Sequence, residues 1–132
     1  MEPLTPEEVR TEFERTGAIL SGHFQLTSGR HSDTYVQCAR VLEDSVLTTR
    51  LAAELAGMFE SEQIDLVAAP AVGGIIIGFA VAQALGTPLI FSEREGGRMT
   101  FRRGFDAPTG ARVLVVEGGD EHLNRSVTLD IA

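Results

Sequence analysis

Arg112-Val113-Leu114-Val115-Val116-Glu117 is the stretch on which the fold turns. A short apolar run rich in Val, ending on a carboxylate, reads as a buried parallel strand. In open α/β sheets ligands sit beyond the carboxyl ends of such strands, so Glu117 marks a candidate site. Upstream, Ile64 to Pro70 and Pro88 to Phe91 read as two further core strands. Between them Gly73-Gly74-Ile75-Ile76-Ile77-Gly78 leads into a helix running through Ala84 and stopped by Gly86. Strand, helix, strand, loop, strand is an α/β pattern built on a parallel sheet.

The N-terminal third is of a different kind. Thr5-Pro6-Glu7-Glu8 is a helix start: Thr5 suits the N-cap, Pro6 the first helical position, and Glu8 completes a capping box. Val9 and Phe13 share a face, and Gly17 ends the helix. Gly22 to Gln37 predicts a hairpin in which Ser28-Gly29 turns the chain and Thr34-Tyr35-Val36 opens the second strand. Leu47, Leu51, Leu55 and Phe59 repeat every four residues, as in an amphipathic helix.

With 132 residues, 43% of them hydrophobic, the chain suffices for one packed domain. A net charge of −8 argues against general nucleic-acid binding, which needs a positive surface. The single cysteine, Cys38, forms no internal disulfide and reads as packing. The N-terminus lacks the basic and apolar regions of a signal peptide. The apolar stretch from Leu66 to Phe91 is broken by Pro70, Pro88 and several glycines, so no membrane span is expected and a cytoplasmic location is.

Three stretches have the chemistry of a site. Ala69-Pro70-Ala71-Val72-Gly73-Gly74-Ile75 joins a strand to a helix through two glycines. That composition suits either a tight turn or backbone amides approaching an anion. Phe91 to Phe105 gathers Arg94, Arg98, Arg102 and Arg103 in an otherwise acidic protein. Arginine forks match phosphate oxygens, and Gly96-Gly97 would let a loop close over a ligand; a solvated loop neutralised by Glu93 and Glu95 is the alternative. Gly29-Arg30-His31-Ser32 lies at the hairpin turn, where Arg30 and His31 either meet an anionic substrate or simply face solvent. His23 and the Asp120-Glu121-His122 run lack metal-ligand spacing, and no metal-binding residues are assigned.

Together these stretches closely resemble the orotate phosphoribosyltransferases. Gly22-His23-Phe24 through Thr27-Ser28-Gly29-Arg30 to Tyr35 looks like their substrate hairpin, and Ala69 to Ile75 like their pyrophosphate loop. Phe91 to Glu95 with the following Gly/Arg residues looks like their flexible catalytic loop. Val113 to Glu117 looks like the strand entering their phosphoribosyl-diphosphate motif. The resemblance runs from about Gly17 to Glu117 in the family's order and spacing.

It implies an α/β fold, a type I phosphoribosyltransferase-like parallel sheet flanked by helices, with an N-terminal hairpin or hood and the C-terminal part missing. Residues 1–132 would form a single incomplete domain, with helix and substrate hairpin in 1–40 and the core sheet in 60–132. It implies transfer of a 5-phosphoribosyl group from phosphoribosyl diphosphate to orotate, with Mg²⁺ carried mainly on the diphosphate, in a cytoplasmic homodimer serving pyrimidine biosynthesis. By carry-over Val72, Gly73 and Gly74 face the diphosphate and Arg94 and Arg98 neutralise it. Thr27, Ser28, Gly29, Arg30 and Tyr35 shape the orotate side. Glu117 takes the first acidic position of the motif, where acids hold the ribose hydroxyls. Many members have lysine in the catalytic loop, where this chain has only arginine.

Beyond Glu117 the resemblance fails. Gly118 stands at the second acidic position, and Glu121-His122-Leu123-Asn124 stands where a Thr/Gly loop would cradle the 5′-phosphate. Asp120 and Glu121 would repel that dianion. A local reading-frame change across codons 117 to 126 would produce this pattern; an unshifted frame in the coding DNA would exclude it. The residues also allow a non-catalytic remnant keeping the dimer surface and part of the pocket. A methyltransferase-like binder is faintly suggested by Glu117-Gly118-Gly119-Asp120, but explains neither the hairpin nor the arginines. With the family's later elements missing, the Val113 strand is expected at an exposed sheet edge, or at least with a core face uncovered, making the isolated chain poorly stable or prone to aggregate.

Overall fold

The computed structural model describes residues 3–25, 30–36, 38–117 and 127–131. Helix α1 spans Pro6–Arg15, and its start follows from the capping box. Thr5 Oγ1 accepts from the Glu8 amide at 3.1 Å, and Glu8 Oε1 accepts from the Thr5 amide at 3.2 Å. The chain then leaves through Gly17 at φ 76°.

Strands β1 (Ile19–Gln25) and β2 (His31–Val36) pair antiparallel in a sheet of their own. The hairpin expected from the alternation is present, but each strand begins three residues earlier than that pattern shows. A register shift between Ser21 and Phe24 breaks the alternation that sequence reading relies on. The Ser28-Gly29 turn expected between the strands lies outside the described residues.

Two helices follow, α2 (Cys38–Leu42) and α3 (Ser45–Gly57). Asp44 caps α3 by accepting from the Leu47 amide at 3.0 Å and also holds Arg15 at 2.7 Å, tying the end of α1 to the start of α3. The stripe of α3 serves two packing sites. Leu47 and Leu51 meet Ala18, Val41 and Phe13, whereas Ala52 and Leu55 join the main core.

The main sheet has the order β5-β4-β3-β6-β7. Strands β3 (Leu66–Pro70), β4 (Leu89–Glu95) and β6 (Arg112–Val116) are parallel, with β3 in the middle. Helix α4 (Ile75–Leu85) crosses over from β3 to β4, ends at Gly86 with φ 73°, and packs with α3 on one sheet face. Val67, Ile77, Val81, Leu114 and Val116 form that core, all at or below 8% exposure. Gly78 lets α4 come down on the sheet, since a Cβ there would sit 2.7 Å from the Ala69 Cβ.

The three core strands are parallel as expected, and antiparallel strands at both ends make the sheet mixed. Two expectations are corrected. The arginine-rich stretch is a β-hairpin: β4 continues to Glu95, turns at Gly96-Gly97, and returns as β5 (Arg98–Phe101). Both glycines have positive φ, 58° and 79°, as a two-residue hairpin turn demands. Second, the Val113 strand is not an edge. Strand β7 (Val127–Ile131) pairs with it along its whole length, from Arg112↔Ile131 to Val116↔Val127, which removes the strand-edge reason for expecting aggregation. Among the described residues no helix is long and apolar enough to cross a membrane.

Candidate active site

The parallel strands bring three segments to one end of the sheet: the loop after β3, Glu117 after β6, and the hairpin that prolongs β4. The loop, residues 71–74, is the most constrained. The Ala71 amide donates to the Ser92 carbonyl at 2.8 Å, and the Gly74 amide to the Pro70 carbonyl at 3.0 Å. The Ala71–Val72 peptide bond is cis. Among the described residues, the Val72 and Gly73 amides have no hydrogen-bond partner. Two unengaged donors just ahead of α4, an 11-residue helix without a side-chain cap, suit an anion.

The two glycines have different reasons to be there. A Cβ on Gly74 would lie 2.8 Å from Pro70 Cδ, 2.9 Å from the Pro70 carbonyl oxygen and 3.1 Å from that of Val116. Gly74 is therefore the contact that seats the loop against the end of β6, beside Glu117. A Cβ on Gly73 would meet nothing within 4 Å, so no packing within the described structure explains that glycine. Val72 is 83% exposed. Glu117 is exposed.

The hairpin sorts its arginines. Paired residues of antiparallel strands share a face and consecutive residues alternate. Arg94 lies opposite Met99 and Arg98 opposite Glu95, so Arg94 and Arg98 occupy opposite faces and do not converge on one point. Among the described residues, Arg94 makes only a long 3.4 Å contact with the Gly97 carbonyl. The other two are engaged: Arg102 with Glu95 at 3.2 Å, and Arg103 with both carboxylate oxygens of Glu93 at 2.7 and 3.1 Å. That fork holds the Glu93 carboxyl below its usual range, mainly by hydrogen bonding. The sequence offers Glu93 and Glu95 as neutralising partners; only the folded hairpin shows that they pair with Arg103 and Arg102.

Of the substrate-hairpin residues, Arg30 and His31 are exposed and both have interaction partners. Thr27, Ser28 and Gly29 lie outside the described residues, as do the side chain of Tyr35 and the whole altered segment 118–126. The Tyr35 backbone pairs with Leu20. Among the described residues no group of three or more metal-ligating side chains comes together. The groove beside α4, about 520 Å³ and lined by Phe79, Leu89 and Phe91 among others, is apolar and unsuited to phosphate.

No family model matches the chain. An orotate phosphoribosyltransferase of Pelotomaculum thermopropionicum is 53% identical over 114 residues, 86% of this chain and 60% of the relative. One from Desulforamulus reducens is 50% identical over 111 residues, 84% of this chain and 58% of the relative. A crystal structure of orotate phosphoribosyltransferase from Aeropyrum pernix matches with TM-score 0.67 at 29% identity, covering 83% of this chain and 63% of that one. The chain thus spans about 60% of the length of the curated relatives it matches.

Proposed function

Since the chain is a homologue of the orotate phosphoribosyltransferases over most of its own length and has the type I phosphoribosyltransferase fold, we propose that it forms the diphosphate-binding part of such an enzyme. The reaction is transfer of the 5-phosphoribosyl group from phosphoribosyl diphosphate to N1 of orotate, giving orotidine 5′-phosphate and diphosphate in pyrimidine biosynthesis. The observation that carries this reading is the pair of unengaged amides, Val72 and Gly73, ahead of α4 and beside the end of β6.

Displacement at the anomeric carbon passes through an oxocarbenium-like state as the diphosphate departs. The protein's task is to align two reactants and stabilise the negative charge on the leaving group. The Val72 and Gly73 amides take diphosphate oxygens, preorganised by the bonds of Ala71 and Gly74. Arg94 adds a cation, and Arg98, next to the Gly96-Gly97 turn, is the second cation of the same hairpin tip. Glu117 accepts from a ribose hydroxyl. Thr27 to Arg30 and Tyr35 shape the orotate side.

A Mg²⁺ fits this donor set only as an ion held chiefly by substrate oxygens and water, with Glu117 as the carboxylate offered by the described strand ends. When bound it neutralises charge on the diphosphate. Single-domain organisation, a homodimer in which the hairpin serves the neighbouring site, and a cytoplasmic location complete the reading.

Calorimetric titration with phosphoribosyl diphosphate and Mg²⁺, paired with an assay of diphosphate release in the presence of orotate, tests it. Binding with turnover supports the transferase. No heat from either substrate and no turnover would refute it in favour of the non-catalytic remnant.

A further inference from the structure

The sheet face of the hairpin nearest α4 holds an arrangement that the proposed chemistry does not use. Leu89, Phe91 and Glu93 alternate along this face of β4, with Leu89 packed against the core. Arg103 grips Glu93 with two hydrogen bonds, and its guanidinium carbon lies 5.9 Å from the centre of the Phe91 ring. Phe105 meets the same ring edge-on at 4.9 Å. Reaching these partners takes a reversal of the chain just after β5, at Arg103 with φ 60° and Gly104 with φ 76°. A left-handed backbone disfavours an arginine, so tertiary contacts must hold it there. The Glu93 side chain is only 19% exposed, whereas that of Arg103 is 62% exposed.

We infer that Glu93, gripped by Arg103 beside Phe91, is a positioning residue for Arg94. Consecutive strand residues project to opposite faces. Fixing Glu93 against the α4-side face therefore fixes Arg94, with Met99 and Phe101, on the other. The clamp closes segment 102–105 back onto β4 and restricts the twist of a two-stranded ribbon that projects beyond the core. Its use in catalysis rests on the proposed role of Arg94; the clamp itself stands on the hairpin geometry alone.

Two measurements on the full chain test it. Glu93→Gln removes the charge, while Arg103→Gly removes the grip but relieves the left-handed backbone. Amide hydrogen exchange in residues 92–101 is expected to rise about two- to fivefold in both variants, the range that an exposed bidentate pair allows. Exchange in β3 and β6 is expected to stay unchanged. Unchanged hairpin exchange in either variant, or an equal rise throughout β3 and β6, overturns the clamp. The second readout is affinity for inorganic diphosphate with Mg²⁺. Loss of a negative charge near the site would by electrostatics alone tighten binding, whereas loss of positioning weakens it. Weaker binding by Glu93→Gln is expected, and equal or tighter binding overturns the positioning role. If wild type binds no diphosphate, the proposed function fails while the exchange result still decides the clamp.

Discussion

Gly73 and Gly74 are neighbours, yet alanine at each should have opposite consequences. At Gly74 the new Cβ would fall 2.9 Å from the Pro70 carbonyl oxygen and 3.1 Å from that of Val116. Both are backbone atoms of core strands, so the loop must lift away, and overpacking of this kind costs about 1–3 kcal/mol. At Gly73 the Cβ meets nothing within 4 Å and the backbone is not left-handed. Alanine there restricts the unfolded chain and should stabilise the fold by about 0.4–1 kcal/mol. If the Val72 and Gly73 amides hold a diphosphate, however, a methyl group on the same Cα intrudes on it. Loss of one hydrogen bond to a charged group is worth about 2 kcal/mol, roughly thirtyfold in affinity.

Urea denaturation followed by far-UV circular dichroism gives the stabilities, since the chain has no tryptophan and one tyrosine. Calorimetry with inorganic diphosphate and Mg²⁺ gives the affinities. Gly73→Ala should be at least as stable as wild type but bind weakly; Gly74→Ala should lose both. Unchanged diphosphate affinity in a stable Gly73→Ala variant would refute the assignment of this loop to the anion.

Three further outcomes are expected. Thr5→Ala removes the side-chain cap of α1 and should lower stability by about 1 kcal/mol, read as a shift in urea midpoint at unchanged slope. The Asp44 carboxyl is held below its usual range first by the Leu47 amide and then by Arg15, and that of Glu93 first by Arg103. A depressed carboxyl pKa contributes stability above the unfolded value near 4 and loses it as pH falls through the folded one. The urea midpoint should therefore fall in acid below about pH 4, and less steeply in Asp44→Asn, which keeps a capping side chain but not the charge. Finally, replacing residues 118–123 by Asp-Val-Val-Thr-Thr-Gly should not restore full transferase activity in a chain whose match spans 60% of the relative's length; full activity in a turnover assay would show that the unmatched length is dispensable.

Much of the fold was legible because local patterns and tertiary demands agree. The capping box at Thr5 needs only residues three apart, and the Val-rich run of β6 reads as buried because both its faces are covered. The failures occur where distant partners decide. Ser92 to Arg103 is charged and glycine-containing, and in isolation it reads as a loop. Its strand character comes from pairing across Gly96-Gly97 and from continuity with the buried part of β4. Strand β7 escaped notice because it follows a segment whose resemblance had broken down, and antiparallel pairing with β6 leaves no short-range mark.

The same division holds at the site. By itself the sequence determined the α/β class, the family resemblance and three candidate stretches, because glycines, arginines and a strand-ending carboxylate keep their chemistry in any context. Tertiary structure alone decided which residues lie together. It gave Gly74 to packing and left Gly73 open, because only the folded chain brings the Val116 carbonyl beside Pro70. It set Arg94 and Arg98 on opposite faces, because a strand's two-residue period cannot be assigned until its register is known, and it committed Arg103 to Glu93 through the chain reversal after β5.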